Sequence, residues 1–332
     1  MNRTLILGVG GQDGSLLADL LLSQGIEVHG VVRRSSLDNR GRIRHLLEGT
    51  LPDGTVYNRE LFRLHTADLC DGSSVDRVVQ MVEPLDVYNL ADQDHVGTSH
   101  DCPGLSVEVT YAAVGRLLES VLSLERRTGK TRKVFQACSA TMFGLTPGPQ
   151  DEDTWHDPRS PYAVAKTAAY HLGRHYRDRH GLFVTNGILF NHDSDRRGGD
   201  YLLHKVVRGV WGLRRGVGRL PLQNPDLRVD IGSAREFVTG FQKLLALGRP
   251  VDVCVGTGLA WPVRRMVRHA CELVFGIGSE RWDEKVDWSE SKHPEPFLLC
   301  DPSRLKGLTG WVPTTGSLMV IRELVDHYED KP

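Results

Sequence analysis

The sequence predicts a doubly wound, parallel α/β fold with a smaller C-terminal substrate-binding region. Three observations carry this: short apolar runs alternate with amphipathic stretches, a glycine-rich turn follows the first run at once, and no run could cross a membrane. The 332 residues include 41 Lys and Arg against 42 Asp and Glu and are 40% hydrophobic, a composition able to bury a large core. A net charge of -1 argues against nucleic acid or an anionic membrane as the main partner.

Leu5 to Gly8 reads as the first strand, Ser15 to Leu22 as a helix and Gly25 to Val32 as the second strand, which makes one βαβ unit. The alternation continues with a strand at Phe62 to His65, a helix through Val75 to Val82, and strands at Asp86 to Ala91 and Lys133 to Ala137. Apolar strands separated by helices belong in a parallel sheet covered on both faces, and right-handed crossovers then wind it in both directions. After about Asn186 the chain becomes richer in Arg and Gly, with further strands near Arg228 to Ile231 and Val251 to Val255. Residues 1–185 therefore read as the sheet domain and 186–332 as the substrate-binding region, the two free to interleave.

The six cysteines are scattered without a Cys-x-x-Cys pair, and the fourteen histidines show no ligand spacing, so neither disulfides nor a metal is expected. That pattern suits a reducing cytoplasm. Met1-Asn2-Arg3 runs straight into Thr4-Leu5-Ile6-Leu7, which leaves no room for a signal-peptide apolar region.

Glycines at 8, 11 and 14, around Gln12 and Asp13, lie between the first strand and the first helix. That is either a tight turn or the place where a dinucleotide pyrophosphate rests on backbone N–H groups, and its position in the first βαβ unit favours the second. Where an NAD site would carry an acid, the second strand ends in Arg33-Arg34-Ser35-Ser36. Guanidiniums and the Ser36 hydroxyl suit a 2′-phosphate, which favours NADP over NAD; the other reading is a solvated arginine pair. Asp68 either accepts from an adenine amino group or caps a turn. Leu69 and Leu90 belong to the same expected cofactor-binding set.

Tyr162 and Lys166 stand four apart in Pro161-Tyr162-Ala163-Val164-Ala165-Lys166, on one face of a helix, with Ser139 at the end of the preceding strand. A phenol with pKa near 10 is a poor base at neutral pH, and an adjacent ammonium and an oxidised nicotinamide both favour the phenolate. Tyr162 is then the proton-exchanging group, Lys166 its activator and Ser139 the group that orients the substrate oxygen.

These residues resemble the GDP-mannose 4,6-dehydratase family of extended short-chain dehydrogenases/reductases. The likeness runs through Gly11-Gln12-Asp13-Gly14-Ser15, Val28 to Ser36, Pro158 to Lys166, Asn186-Gly187-Ile188-Leu189-Phe190-Asn191-His192, Asp301-Pro302-Ser303 and Gly310-Trp311-Val312-Pro313. The resemblance implies a Rossmann domain holding NADP or NAD tightly, a nucleotide-diphosphate sugar such as a GDP-hexose under a C-terminal lid, and a homodimer or homotetramer with a subunit contact near the segment after Arg34. It also implies that Asn191 and the regions of Arg197 and Arg228 border the substrate pyrophosphate and nucleoside; Arg196, Lys205, Arg208 and Lys292 are further candidate partners. His293 stands where the family usually has Arg, so recognition of the nucleotide is expected to differ.

One departure bears on mechanism. The dehydratases carry Thr-x-Glu after the strand, whereas this chain reads Ser139-Ala140-Thr141-Met142-Phe143-Gly144, with Thr141 in the place of the Glu that removes the sugar C5 proton. Threonine is no general base near neutral pH, and the stretch looks like that of sugar-nucleotide 4-epimerases. Asp92 and Asp94 occupy positions where the family has small residues; they either restore a carboxylate beside the sugar or are hydrogen-bonded loop acids. The leading expectation is an NAD(P)-dependent nucleotide-sugar epimerase working through transient C4 oxidation. Its rivals are a 4,6-dehydratase with a relocated carboxylate and a binding protein that has lost turnover.

Overall fold

The computed structural model describes residues 3–276, 282–290 and 297–329. Among these, twelve strands follow in chain order: β1 (Arg3–Leu7), β2 (Glu27–Val32), β3 (Phe62–Thr66), β4 (Asp86–Asn89), β5 (Lys133–Ser139), β6 (Phe183–Leu189), β7 (Asn191–Asp193), β8 (Leu220–Gln223), β9 (Arg228–Ser233), β10 (Asp252–Val255), β11 (Ala260–Pro262) and β12 (Val286–Ser289). The chain divides into two interleaved units: Met1–Gly144, His156–Leu189 and Val238–Val253 form the first, and Leu145–Trp155, Phe190–Phe237 and Cys254–Pro332 the second.

The first unit is the doubly wound sheet that the sequence predicts, with strand order β10-β6-β5-β4-β1-β2-β3. β1 pairs in parallel with both β2 and β4, so the order reverses at β1, and ligands of such sheets lie beyond the carboxyl ends of the strands at that point. Leu5, Leu7, Val87 and Val134 from the strands pack with Val75, Val79, Leu117, Leu118 and Val121 from the helices Gly72–Val82 and Ala113–Thr128 in one buried cluster.

The sequence places a strand near Val251 to Val255 in the C-terminal region. It is instead the edge of the large sheet, beside β6. Val253, Cys254 and Val255 are all fully buried, the signature of a strand covered on both faces rather than of a half-exposed lid strand. The predicted first strand ends one residue early because Gly8 turns to a φ of +82°, which breaks the extended run.

The second unit has a three-stranded sheet ordered β11-β9-β7 and a β12-β8 pair. Its core joins Leu203, Val206, Val207 and Val210 of the helix Leu202–Arg214 with Met266, Val267 and Ala270 of Val263–Phe275 and with Val320, Ile321 and Leu324 of Ser317–Glu329. No helix among the described residues is long and apolar enough to cross a membrane.

Candidate functional site

At the point where strand order reverses, the turn after β1 is built for close backbone approach. A Cβ on Gly8 would lie 2.8 Å from the Ala91 backbone just after β4, and one on Gly14 would collide with the Gly8 carbonyl. Gly11 caps the helix Gln12–Ser23 in an extended conformation and offers no side-chain cap, so the first-turn N–H groups remain available to an anion. Gln12 donates to Asp13 across 3.0 Å within this turn. Arg33, Arg34 and Ser36 are exposed just beyond β2, where Asn39 donates to the Arg33 carbonyl at 2.9 Å. Sequence reasoning missed Arg42, whose guanidinium reaches the Gly10 carbonyl at 3.3 Å.

This Cβ-free cradle at a helix N-terminus, with guanidiniums beyond the second strand, fits a dinucleotide pyrophosphate and an adenosine 2′-phosphate. Asp68 is turn-bound on one side: its Oδ1 accepts from Cys70 N at 2.9 Å, while Asp71 caps the next helix. Leu69 gives its carbonyl to Arg116, and Leu90 N donates to the Leu7 carbonyl at 3.1 Å, tying the loop after β4 to β1.

β5 delivers Ser139 at its end. Ser160 Oγ accepts from Ala163 N at 3.1 Å, which caps the helix Pro161–His180 and sets the phase that puts Tyr162 and Lys166 on one buried face. Ser139 shares a hydrogen bond with the Tyr162 phenol, and Thr141 donates to Ser139 Oγ both its N–H, at 3.2 Å, and its hydroxyl, at 2.9 Å. Lys166 Nζ donates to the Ala137 carbonyl at 2.7 Å.

Asp92 changes the electrostatics. Its Oδ2 lies 2.7 Å from Lys166 Nζ, with side-chain exposures of 8% and 6%. Its Oδ1 accepts from the Thr110 hydroxyl and from Gln93 N. Asp92 is thus the hydrogen-bonded loop acid of the second alternative, and it is in addition the counter-ion of Lys166, which the sequence does not reveal. Asp94 is exposed, and its charge still reaches Tyr162.

Burial pushes the Tyr162 phenol well above its ordinary range; Lys166 and the Ser139 hydrogen bond pull it down, but Asp92 and Asp94 add to the rise. Lys166 favours the phenolate as expected, but burial outweighs it, so the protein's own groups hold Tyr162 as a neutral phenol at pH 7. Burial alone would lower the Lys166 pKa, yet Asp92 and then Tyr162 outweigh it and hold the ammonium above the usual lysine range.

In the second unit, Asn191 is exposed on β7, and Arg228 opens the neighbouring β9 with a bond to the Ala260 carbonyl at 3.1 Å. Arg197 stacks over the Tyr201 ring at 3.7 Å and pairs with Asp193 at the same distance, and Lys205 is exposed on the helix that follows. Lys292 and His293 lie outside the described residues.

A doubly wound sheet with a glycine cradle at the order reversal and a Ser, Tyr-x-x-x-Lys constellation at the end of β5 defines the extended short-chain dehydrogenase/reductase class. The family described as "GDP-mannose 4,6 dehydratase" matches residues 5–324. GDP-mannose 4,6 dehydratase 2 of Arabidopsis thaliana is 38% identical over 327 residues, covering 97% of this chain and 85% of the relative. The chain belongs to the GDP-mannose 4,6-dehydratase family, a family of nucleotide-sugar enzymes. In fold it is similar to the RMD protein of Pseudomonas aeruginosa solved with NADPH, with TM-score 0.79 at 18% identity over the full length of both chains. It is equally similar to the UDP-glucose 4-epimerase of Thermus thermophilus solved with NAD, with TM-score 0.80 at 21% identity, covering 99% of this chain and 100% of that one.

Proposed function

We propose that the protein is an NAD(P)-dependent enzyme that epimerises a nucleotide-diphosphate hexose, a GDP-hexose in the first instance, through transient oxidation at C4. The observation that carries the epimerase reading is Thr141: a hydroxyl, already committed to Ser139, stands where C5 deprotonation would need a carboxylate. When bound, the nicotinamide supplies reversible hydride exchange at the sugar carbon. Gly8, Gly11, Gly14, Gln12, Asp13, Asp68, Leu69 and Leu90 would hold the dinucleotide, with Arg33 and Ser36 favouring the 2′-phosphate.

Tyr162 takes and returns the proton of the C4 hydroxyl, and Ser139 holds that oxygen in line with the phenol. Lys166 supplies the positive charge that makes phenolate reachable in a site whose burial opposes it. Asn191, Arg197, Lys205, Arg228 and His293 are the proposed contacts to the nucleotide diphosphate, with the second unit as the nucleotide-sugar-binding region. A homodimer or homotetramer is part of this reading, supported by the exposed apolar side chains Leu105, Val107, Tyr111 and Val164.

A second reading, 4,6-dehydration, is favoured by the description of the matched family and by the names of its members. Asp94 is its candidate base, since Asp92 is held by Lys166. Incubation with GDP-, ADP- and UDP-hexoses in deuterated water separates the two. Epimerisation gives a product of unchanged mass with no deuterium at C5, and Tyr162→Phe should lower its rate by about 10² to 10⁴-fold. A product lighter by one water and deuterated at C5, lost in Asp94→Asn, would establish dehydration.

A further inference from the structure

The Asp92–Lys166 pair is a feature that the sequence motifs do not account for. Lys166 is almost completely buried, and three ionisable groups face it: Asp92 from the loop after β4, Tyr162 from its own helix, and Cys138 from β5. Burial raises the pKa of the Cys138 thiol and of the Tyr162 phenol, and of the three groups it is the Asp92 carboxylate that forms the ion pair with the ammonium, at 2.7 Å. An ammonium without a counter-charge in such an interior gives up its proton readily, and buried lysines then titrate near or below neutrality.

The carboxylate is itself anchored. Gln93 N and the Thr110 hydroxyl both serve Oδ1, which leaves Oδ2 for the ammonium. Thr110 comes from a π-helical turn, Val107–Ala112, in which the wider winding re-aims a side chain that a regular helix would place elsewhere. The ammonium also donates to the Ala137 carbonyl at 2.7 Å, one residue before Cys138 on β5. Asp92 is thus fixed by two donors, and Lys166 by two acceptors.

We propose that Asp92 is a positioning residue for Lys166: it keeps the lysine charged and in register with Tyr162 inside an environment that would otherwise discharge it. Thr110 is the residue that holds Asp92 in place. This inference rests on the reading of Tyr162 and Lys166 as the proton-exchanging couple. It does not depend on whether the product is an epimer or a dehydrated sugar.

The experiment follows Lys166 directly, by titrating the lysine side-chain carbon resonances next to Nζ in the protein without added cofactor; the Lys166 signal is assigned by its disappearance in Lys166→Met. In the parent protein Lys166 should stay protonated beyond pH 10. In Asp92→Asn, which keeps size and a hydrogen-bonding oxygen, its midpoint should fall by at least two pH units, and Thr110→Val should move it in the same direction by less. Turnover of Asp92→Asn should then lose its alkaline plateau, because a neutral Lys166 no longer assists the phenol, while KM changes little. A Lys166 midpoint unchanged in Asp92→Asn would overturn the proposal whether or not the enzyme is active. If Asp92→Asn fails to fold, Thr110→Val carries the test alone, and an unmoved Lys166 midpoint there counts against it. A moved Lys166 midpoint with an unmoved pH–rate profile would leave the pairing standing and sink the role of the Tyr162–Lys166 couple instead.

Discussion

Thr141 gives both of its donors to one oxygen, the Ser139 Oγ, at 3.2 Å from its backbone and 2.9 Å from its hydroxyl. Both Thr141 donors are committed to the serine, which leaves the single Ser139 hydroxyl proton for its hydrogen bond with the Tyr162 phenol. Thr141→Val removes one neutral hydrogen bond, a change of about 1 kcal/mol. Turnover should fall roughly five- to tenfold. A residue acting as general base would cost about 10² to 10⁴-fold. Steady-state rates decide: a collapse of rate by about 10² to 10⁴-fold in Thr141→Val would show Thr141 acting on the substrate itself and not through Ser139.

The parts of this site that the sequence made legible are the local ones. Gly8, Gly11 and Gly14 lie within a single turn, and Tyr162 and Lys166 within a single turn of helix, so their spacing alone fixes their geometry. Asp92 was visible as an oddity but not as a partner of Lys166, because the two meet only when β4 and β5 lie side by side and the helix Pro161–His180 packs against β5. Thr110 carries no signal in the sequence, because the π-helical turn that presents it departs from the regular helical period on which a reading of the sequence relies. Arg42 escaped for the same reason as Asp92, being brought to Gly10 by the path of the chain after β2. The sequence places the strand near Val251 to Val255 in the C-terminal region because a short apolar run states that it is buried, not to which sheet it belongs.

Arg33 and Arg34 predict cofactor preference. Both are exposed beyond β2, free of the acid that would repel a 2′-phosphate. Replacing both by Ala removes charge-assisted bonds worth about 1.5 to 3 kcal/mol. The Kd for NADP should rise roughly ten- to a hundredfold while that for NAD stays within about twofold. Calorimetric titration of both cofactors into parent and double variant measures this, and equal losses would mean that the arginines do not read the phosphate. A residual NADP preference that disappears on adding Arg42→Ala would assign the contact to the third arginine.

The first unit also contains a pH-sensitive link away from the candidate site. On adjacent parallel strands, His29 Nδ1 lies 2.8 Å from His65 Nε2, and His29 Nε2 lies 2.9 Å from Glu27. One neutral arrangement satisfies the chain: His65 donates to His29, and His29 donates to Glu27. A proton added to His29 Nδ1 would set two N–H groups against each other. Burial lowers the His65 pKa from 6.5 to about 4, with the neighbouring His29 contributing next, and burial likewise lowers that of His29 despite the help of Glu27. The sign follows: between these values the unfolded chain binds the proton that the folded protein refuses, so stability is full above pH 6.5 and is lost as pH falls toward about 4. Since the His65 ring is only half-buried and partly screened, the loss from it should be about 1 to 2 kcal/mol. Urea midpoints at pH 7.5 and pH 5 should show the parent protein weaker at the lower pH, and His65→Gln should flatten that slope while lowering stability at pH 7.5. A slope that is the same in parent and variant would mean that the link does not titrate on unfolding.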